Sequence, residues 1–122
     1  MFGPSPEDVF VTNPKIRWVG MATSKGKVIF SQMRPGVKSF TPTEDDRLLL
    51  ELRAQYMTET SRQSSRWAGS VEYIATSYEK FIEVTITLQD KYVIVTLEKD
   101  VPLEAVRQIV DRIRNMAPGH SE

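Results

Sequence analysis

An α+β fold, a three-layer sandwich with one antiparallel sheet of about five strands between helices, is what this sequence predicts, and three observations lead there. Apolar residues recur with a period near two in some stretches and near 3.6 in others, in the order short helix, β, β, helix, β, β, β, helix. The strand stretches come in hairpins rather than alternating singly with helices, which favours antiparallel pairing. Finally, Tyr92-Val93-Ile94-Val95 is apolar at every position, as a strand covered from both sides requires.

The elements follow in chain order. Ser5-Pro6-Glu7-Asp8 opens a helix: a hydroxyl caps the first amides, proline sits where its missing donor costs nothing, and two acids face the positive end of the dipole. Asn13-Pro14 stops it, so residues 1–14 hold only a helical stub. From Lys15 the pattern turns to β, with Ile16, Trp18, Val19 and Met21 on one side of Ser24-Lys25-Gly26 and Val28, Ile29 and Phe30 on the other. That is a hairpin, its glycine supplying the positive φ of a tight turn. A phosphate-binding loop needs more glycines, a Gly-Lys-Ser/Thr ending and a helix after it; here a strand follows, so the lysines decorate a turn.

Residues 34–38 form a loop, and Thr43 with Glu44, Asp45 and Asp46 opens a helix that runs to about Glu59. Leu48, Leu49, Leu52 and Tyr56 share one stripe, assigned to the core, while Leu50, Ala54 and Met57 fall on the opposite side. A surface helix has no use for a second apolar stripe unless something covers it, because each large side chain left in water forgoes roughly 1.5–3 kcal/mol. Residues 61–70, rich in serine and basic residues, read as a loop.

Three strands follow at 71–77, 81–88 and 92–98. In the middle one Ile82, Val84, Ile86 and Leu88 alternate with Glu83, Thr85 and Thr87, giving one buried face and one more polar face. Asp100 and Pro102 open a last helix whose stripe of Leu103, Val106, Ile109, Val110, Ile113 and Met116 docks on the sheet. Ala117-Pro118-Gly119 ends it. One domain over residues 15–117 and a tail at 118–122 complete the organisation.

The 122 residues suffice for one core without metal or disulfide, and 26% charged with 40% apolar residues is the balance of a globular chain. Zero formal charge removes the global attraction expected of a dedicated nucleic-acid binder. Without cysteine there is no disulfide framework, thiolate zinc site or cysteine nucleophile. The first residues show no basic segment followed by an apolar run of signal-peptide length, nowhere do 18 apolar residues stand together, and a cytoplasmic location without membrane insertion is expected.

The inventory for catalysis is poor. His120, the sole histidine, lies in the expected tail, where no triad or metal site has fixed geometry. Glu44, Asp45 and Asp46 point about 100° apart on a helix and cannot converge on one ion; like Glu7 and Asp8, they serve the helix start. No metal, cofactor or enzymatic activity is expected. The basic residues Arg34, Lys38, Arg53, Arg62 and Arg66, with Trp67 as a flat apolar surface, form a candidate partner-binding set if the two loops meet, suited to an anion, an acidic protein surface or a single strand of nucleic acid.

The order of elements, with "IRWVGMATSKGKVIFSQ" and "FIEVTITLQDKYVIVTLEKDVPLEAVRQIVDRI", resembles the roadblock/LC7 superfamily over residues 15–116, and most closely archaeal proteins of that shape. Profilin-like, longin and PAS-type domains share part of the order. The resemblance implies a small non-enzymatic platform, commonly dimeric, that binds or regulates small GTPases or serves as an adaptor. It also implies a dimer contact through the 43–59 helix and the strand beginning near Val71, which nominates Leu50, Ala54, Met57, Val71 and Tyr73. The N-terminal stub departs from the longer first helix usual in that family.

Three functional readings follow. A homodimeric scaffold or regulator acting through protein contacts, with a small GTPase as a candidate partner, is favoured. A small-ligand sensor would use Trp18, Phe30, Phe81 and Tyr92 as pocket walls rather than core. Anion or nucleic-acid binding through the Arg/Trp loop is the third.

Overall fold

The structure is a computed structural model and describes residues 3–40 and 43–116. The expected tail, with His120, and the Ala117-Pro118-Gly119 stop lie outside the described residues. Helix α1 (Pro6–Phe10) leads into strands β1 (Ile16–Thr23) and β2 (Val28–Met33), helix α2 (Thr43–Ser64), strands β3 (Tyr73–Ser77), β4 (Phe81–Leu88) and β5 (Lys91–Glu98), and helix α3 (Leu103–Arg114). All five strands join one antiparallel sheet in the order β2-β1-β5-β4-β3, the α+β class that the alternating periods predict.

The doubly apolar strand, β5, is central and buried on both faces. Val93, Val95 and Leu97 join the core beneath α1 and α3, whereas Tyr92 and Ile94 join the core beneath α2. Helix α3 lays Val106, Ile109, Val110 and Ile113 on the first face, each stabilising the fold by roughly 1.5–3 kcal/mol. Its first residue does not take part: Leu103, expected in that stripe, is 82% exposed. Pro102, not Asp100, is the residue before the helix, and Asp100 instead pairs with Lys15 at 2.9 Å.

The stub forms as expected, with the Ser5 hydroxyl accepting from the Asp8 amide at 3.2 Å and the Asp8 carboxylate accepting from the Ser5 amide at 3.0 Å. It buries Val9 and Phe10, and the Arg112 guanidinium holds its exit by donating to the Thr12 carbonyl. Gly26 takes φ +92° in the β1–β2 turn, where no strand residue with a Cβ sits comfortably.

Helix α2 runs beyond the expected end near Glu59 to Ser64. Glu59 accepts from Arg62 and Gln63 within one turn, and these bonds hold its carboxyl below the usual range. The serines that read as loop-formers are used in bonds that close the helix: Ser61 accepts from the Val71 amide at 3.0 Å, and the Ser64 hydroxyl donates to the Gly69 carbonyl at 2.8 Å.

Candidate interaction surface

The inward face of α2 is Leu50, Ala54 and Met57, all fully buried over Trp18, Ala22, Tyr92 and Ile94. This reverses the expectation. These three residues cannot form a dimer contact because they fill the chain's own second core, and the stripe assigned to that core turns outward. Leu48, Leu52 and Tyr56 are 51%, 49% and 54% exposed.

The reason lies in β1. Leu50 closes over Gly20, where an added Cβ would stand 2.8 Å from the leucine Cδ2 and 2.6 Å from the Trp18 ring. A glycine facing small Ala54 and slender Leu50 and Met57 lets the helix approach closely; the bulkier row of Leu48, Leu52 and Tyr56 does not fit such a gap.

A buried ion pair fixes the same rotation. Glu83, only 1% exposed on β4, accepts from Arg53 Nε and Nη2 at 3.2–3.3 Å and from the Tyr78 hydroxyl at 3.3 Å. Desolvation works against the Arg53 charge, but hydrogen bonding and charge from Glu83 outweigh it and raise the guanidinium pKa. On the opposite flank, Thr58 donates to the Ser24 carbonyl in the β1–β2 turn at 2.8 Å.

Helical spacing then locates the outward apolar row. Leu49 and Tyr56 stand four before and three after Arg53, so the row begins on the flank facing β4 and β3 and wraps outward through Leu52 and Leu48. Beside that flank lies β3, an edge strand. Bonds from Thr87 N to Glu72 O and from Tyr78 N to Phe81 O set its ladder, so the amides and carbonyls of Tyr73, Ala75 and Ser77 point away from β4. Tyr-Ile-Ala-Thr-Ser carries no charge. An apolar helix row and an uncharged open edge therefore adjoin, a combination soluble proteins leave bare only where something pairs with it.

Tyr73 and Val71, the other nominated contacts, are half-buried. Tyr73 lies on this edge with its ring packed toward the α3 core, and Val71 precedes the strand and packs on the α2 side.

The basic set does not converge. Arg34 is a structural clamp, donating to the carbonyls of Ile16, Phe10 and Asn13 at 2.6–2.8 Å and covering the Phe10 ring. Arg53 is held by Glu83, and Arg62 by Glu59. Lys38 lies in the loop before α2, while Arg66 and Trp67 follow its last turn; a helix of 22 residues separates them by roughly 33 Å. Trp67 is 75% exposed rather than folded under its loop.

The aromatic residues proposed as pocket walls are packing. Trp18 and Tyr92 are 3% and 6% exposed, and Phe81 stacks on Phe40 at 5.7 Å. The cavity beside Trp18, Phe40 and Phe81 holds about 30 Å³, room for one water, against the several hundred that a small-molecule site needs. Among the described residues no helix is long and apolar enough to cross a membrane.

The chain is an α+β domain in which an apolar helix row lies beside an open sheet edge. Its fold is that of roadblock/LC7 domains. A Roadblock/LC7 domain from Streptomyces avermitilis superposes with a TM-score of 0.69 at 8% identity, over 96% of this chain and 95% of that one. The gliding protein MglB from Thermus thermophilus gives 0.68 at 12% identity, over 93% and 85%. MglB from Myxococcus xanthus gives 0.65 at 11%, over 88% and 86%. No protein-family model matches the sequence, and no curated protein matches it.

Proposed function

We propose that this chain is a non-enzymatic regulatory platform that works as a homodimer through protein–protein contacts, a small GTPase being the partner class the family resemblance implies. The observation that carries the reading is the continuity of Leu48, Leu52 and Tyr56 with the uncharged open edge of β3. A second copy supplies what both lack: an identical strand for the edge and an identical apolar row for the helix, in a self-complementary twofold contact. Burying the exposed half of three large side chains on each copy recovers on the order of 1 kcal/mol apiece, and a helix face with a strand edge reaches the roughly 800 Å² per partner of a standard interface. A solved arrangement of MglB is described as tetrameric, so this fold is compatible with assembly.

Sedimentation velocity at tens of micromolar tests the reading. Wild-type chain runs at twice the monomer mass, and Leu52→Asp with Tyr56→Asp runs as a folded monomer. A wild-type monomer, or a double variant of unchanged mass, refutes the dimer.

A further inference from the structure

The sheet has a second open edge, basic where the first is uncharged. Among the described residues strand β2 pairs only with β1, and the Arg34 amide bonded to the Arg17 carbonyl at 2.8 Å sets the ladder. By antiparallel alternation, the amides and carbonyls of Ser31 and Met33 point away from the sheet. Residues 15–40 carry six cations and no acid; all 16 carboxylate side chains lie elsewhere in the chain. Lys15 and Arg17 are paired with Asp100 and Glu98, and Arg34 is engaged by carbonyls. Lys25 and Lys27 at the turn end of β2 are exposed, as is Lys38 in the following loop, whose carbonyl accepts from Arg17 on β1, and none of the three forms an ion pair among the described residues. Asp90, whose carbonyl accepts from the Ser24 amide, is itself paired with Lys91. On the neighbouring flank of α2, Arg47 and Glu51 cancel.

We infer that the β2 edge is a docking site for an extended acidic segment of a protein partner, added to the sheet as a sixth strand. The outward amides and carbonyls of Ser31 and Met33 supply ladder bonds. Lys25 and Lys27 at the turn end of the edge select carboxylates, and Ile29, 41% exposed at the bulge opposite Met21 and Ala22, offers an apolar contact. The same lysines repel a second copy of this edge, so the two edges divide: uncharged β3 for self-association, basic β2 for a different chain. A row of backbone donors and acceptors at strand spacing suits a peptide better than phosphates, which favours protein over nucleic acid or an anionic membrane.

Fluorescence anisotropy with the full chain tests this. The probe is a labelled synthetic peptide of about ten residues alternating glutamate with valine. Its lysine–valine counterpart, a thymidine oligonucleotide and phosphatidylserine vesicles are the comparisons. The acidic peptide binds at least about tenfold tighter than its lysine counterpart, and Lys25→Glu with Lys27→Glu weakens it by about tenfold or more. Sedimentation mass is unchanged in that variant, which separates this site from the dimer contact. Hydrogen exchange at the Ser31 and Met33 amides slows when the peptide is bound. Equal binding of both peptides, preferred binding of oligonucleotide or vesicles, or bound peptide without slowed exchange at those amides overturns the inference.

Discussion

Arg53 reaches from α2 to the buried carboxylate of Glu83 on β4 and grips both oxygens, with the Tyr78 hydroxyl completing the set. An ion pair here does more than offset desolvation. Helix α2 is apolar on both sides, so hydrophobic burial alone permits two rotations. A charge that must be met at one position on β4 permits only one, and that rotation decides which apolar row is left for a partner.

Removing one member of the pair therefore costs far more than an exposed ion pair would. Arg53→Ala leaves the Glu83 carboxylate buried with only the Tyr78 hydroxyl and no cation beside it, and the expected loss is about 3 kcal/mol in urea unfolding. Arg53→Met combined with Glu83→Leu restores most of it, since neither charge is then stranded. A single-variant loss under about 1 kcal/mol would place the pair among surface contacts instead.

Gly20 sets how closely α2 approaches. With an alanine Cβ 2.6 Å from the Trp18 ring and 2.8 Å from Leu50, either the ring or the helix must move. Gly20→Ala is expected to destabilise the fold by about 1–3 kcal/mol, the usual cost of overpacking. Glycine at 26, whose added Cβ would meet nothing within 4 Å, gives a useful contrast, because Gly26→Ala pays only for backbone strain.

Most of the fold was legible because the apolar pattern of most elements admits a single placement. The apolar face of β4, the doubly apolar β5 and the α3 stripe of Val106, Ile109, Val110 and Ile113 each admit one placement, whereas the face of β4 that reads as more polar is buried as well, with Glu83 and Thr85 under α2. Helix α2 admits two, and counting apolar residues chose the larger row, Leu48, Leu49, Leu52 and Tyr56, as core. The deciding signals lay elsewhere in the chain: a glycine at position 20 within an apolar strand, which marks a close approach, and Glu83 at a position that needs a cation from the facing helix. The Arg/Trp set failed for a plainer reason. A long helix between two loops keeps them apart, and its length is readable from the sequence only once its end is known; the serines at 61 and 64 hid that end. The basic β1–β2 segment stands in the sequence as six cations without an acid, but its meaning depends on β2 being an edge, which strand order alone reveals.

Lys15 and Asp100 tie the start of β1 to the turn before α3. The hydrogen bond from Lys15, then its charge, holds the Asp100 carboxyl below 3.8, and the Asp100 hydrogen bond raises Lys15 above 10.5. A depressed carboxyl contributes stability above its unfolded pKa and loses it as pH falls through the folded value, so the Asp100 contribution fades below pH 3.8. The raised lysine contributes below 10.5 and loses its share as pH rises past that value. NMR titration of the Asp100 side chain is expected to move upward in Lys15→Met. An unmoved midpoint would mean that the pair does not persist in solution.

Leu50 and Leu52 stand two residues apart on opposite sides of α2, and an aspartate at each separates folding from assembly. At Leu50 the carboxylate enters a site with no accessible surface, packed among Trp18, Ala22, Tyr92 and Ile94, so Leu50→Asp is expected to cost more than about 3 kcal/mol and to unfold much of the population. At Leu52 the new charge points outward, and the folded monomer keeps its circular dichroism spectrum. The dimer signature is then read from concentration: wild-type melting temperature rises with protein concentration, because association stabilises only the folded state, whereas that of Leu52→Asp does not. Should wild type melt at one temperature across a hundredfold range of roughly micromolar to sub-millimolar concentration, the outward row has no copy of itself as partner.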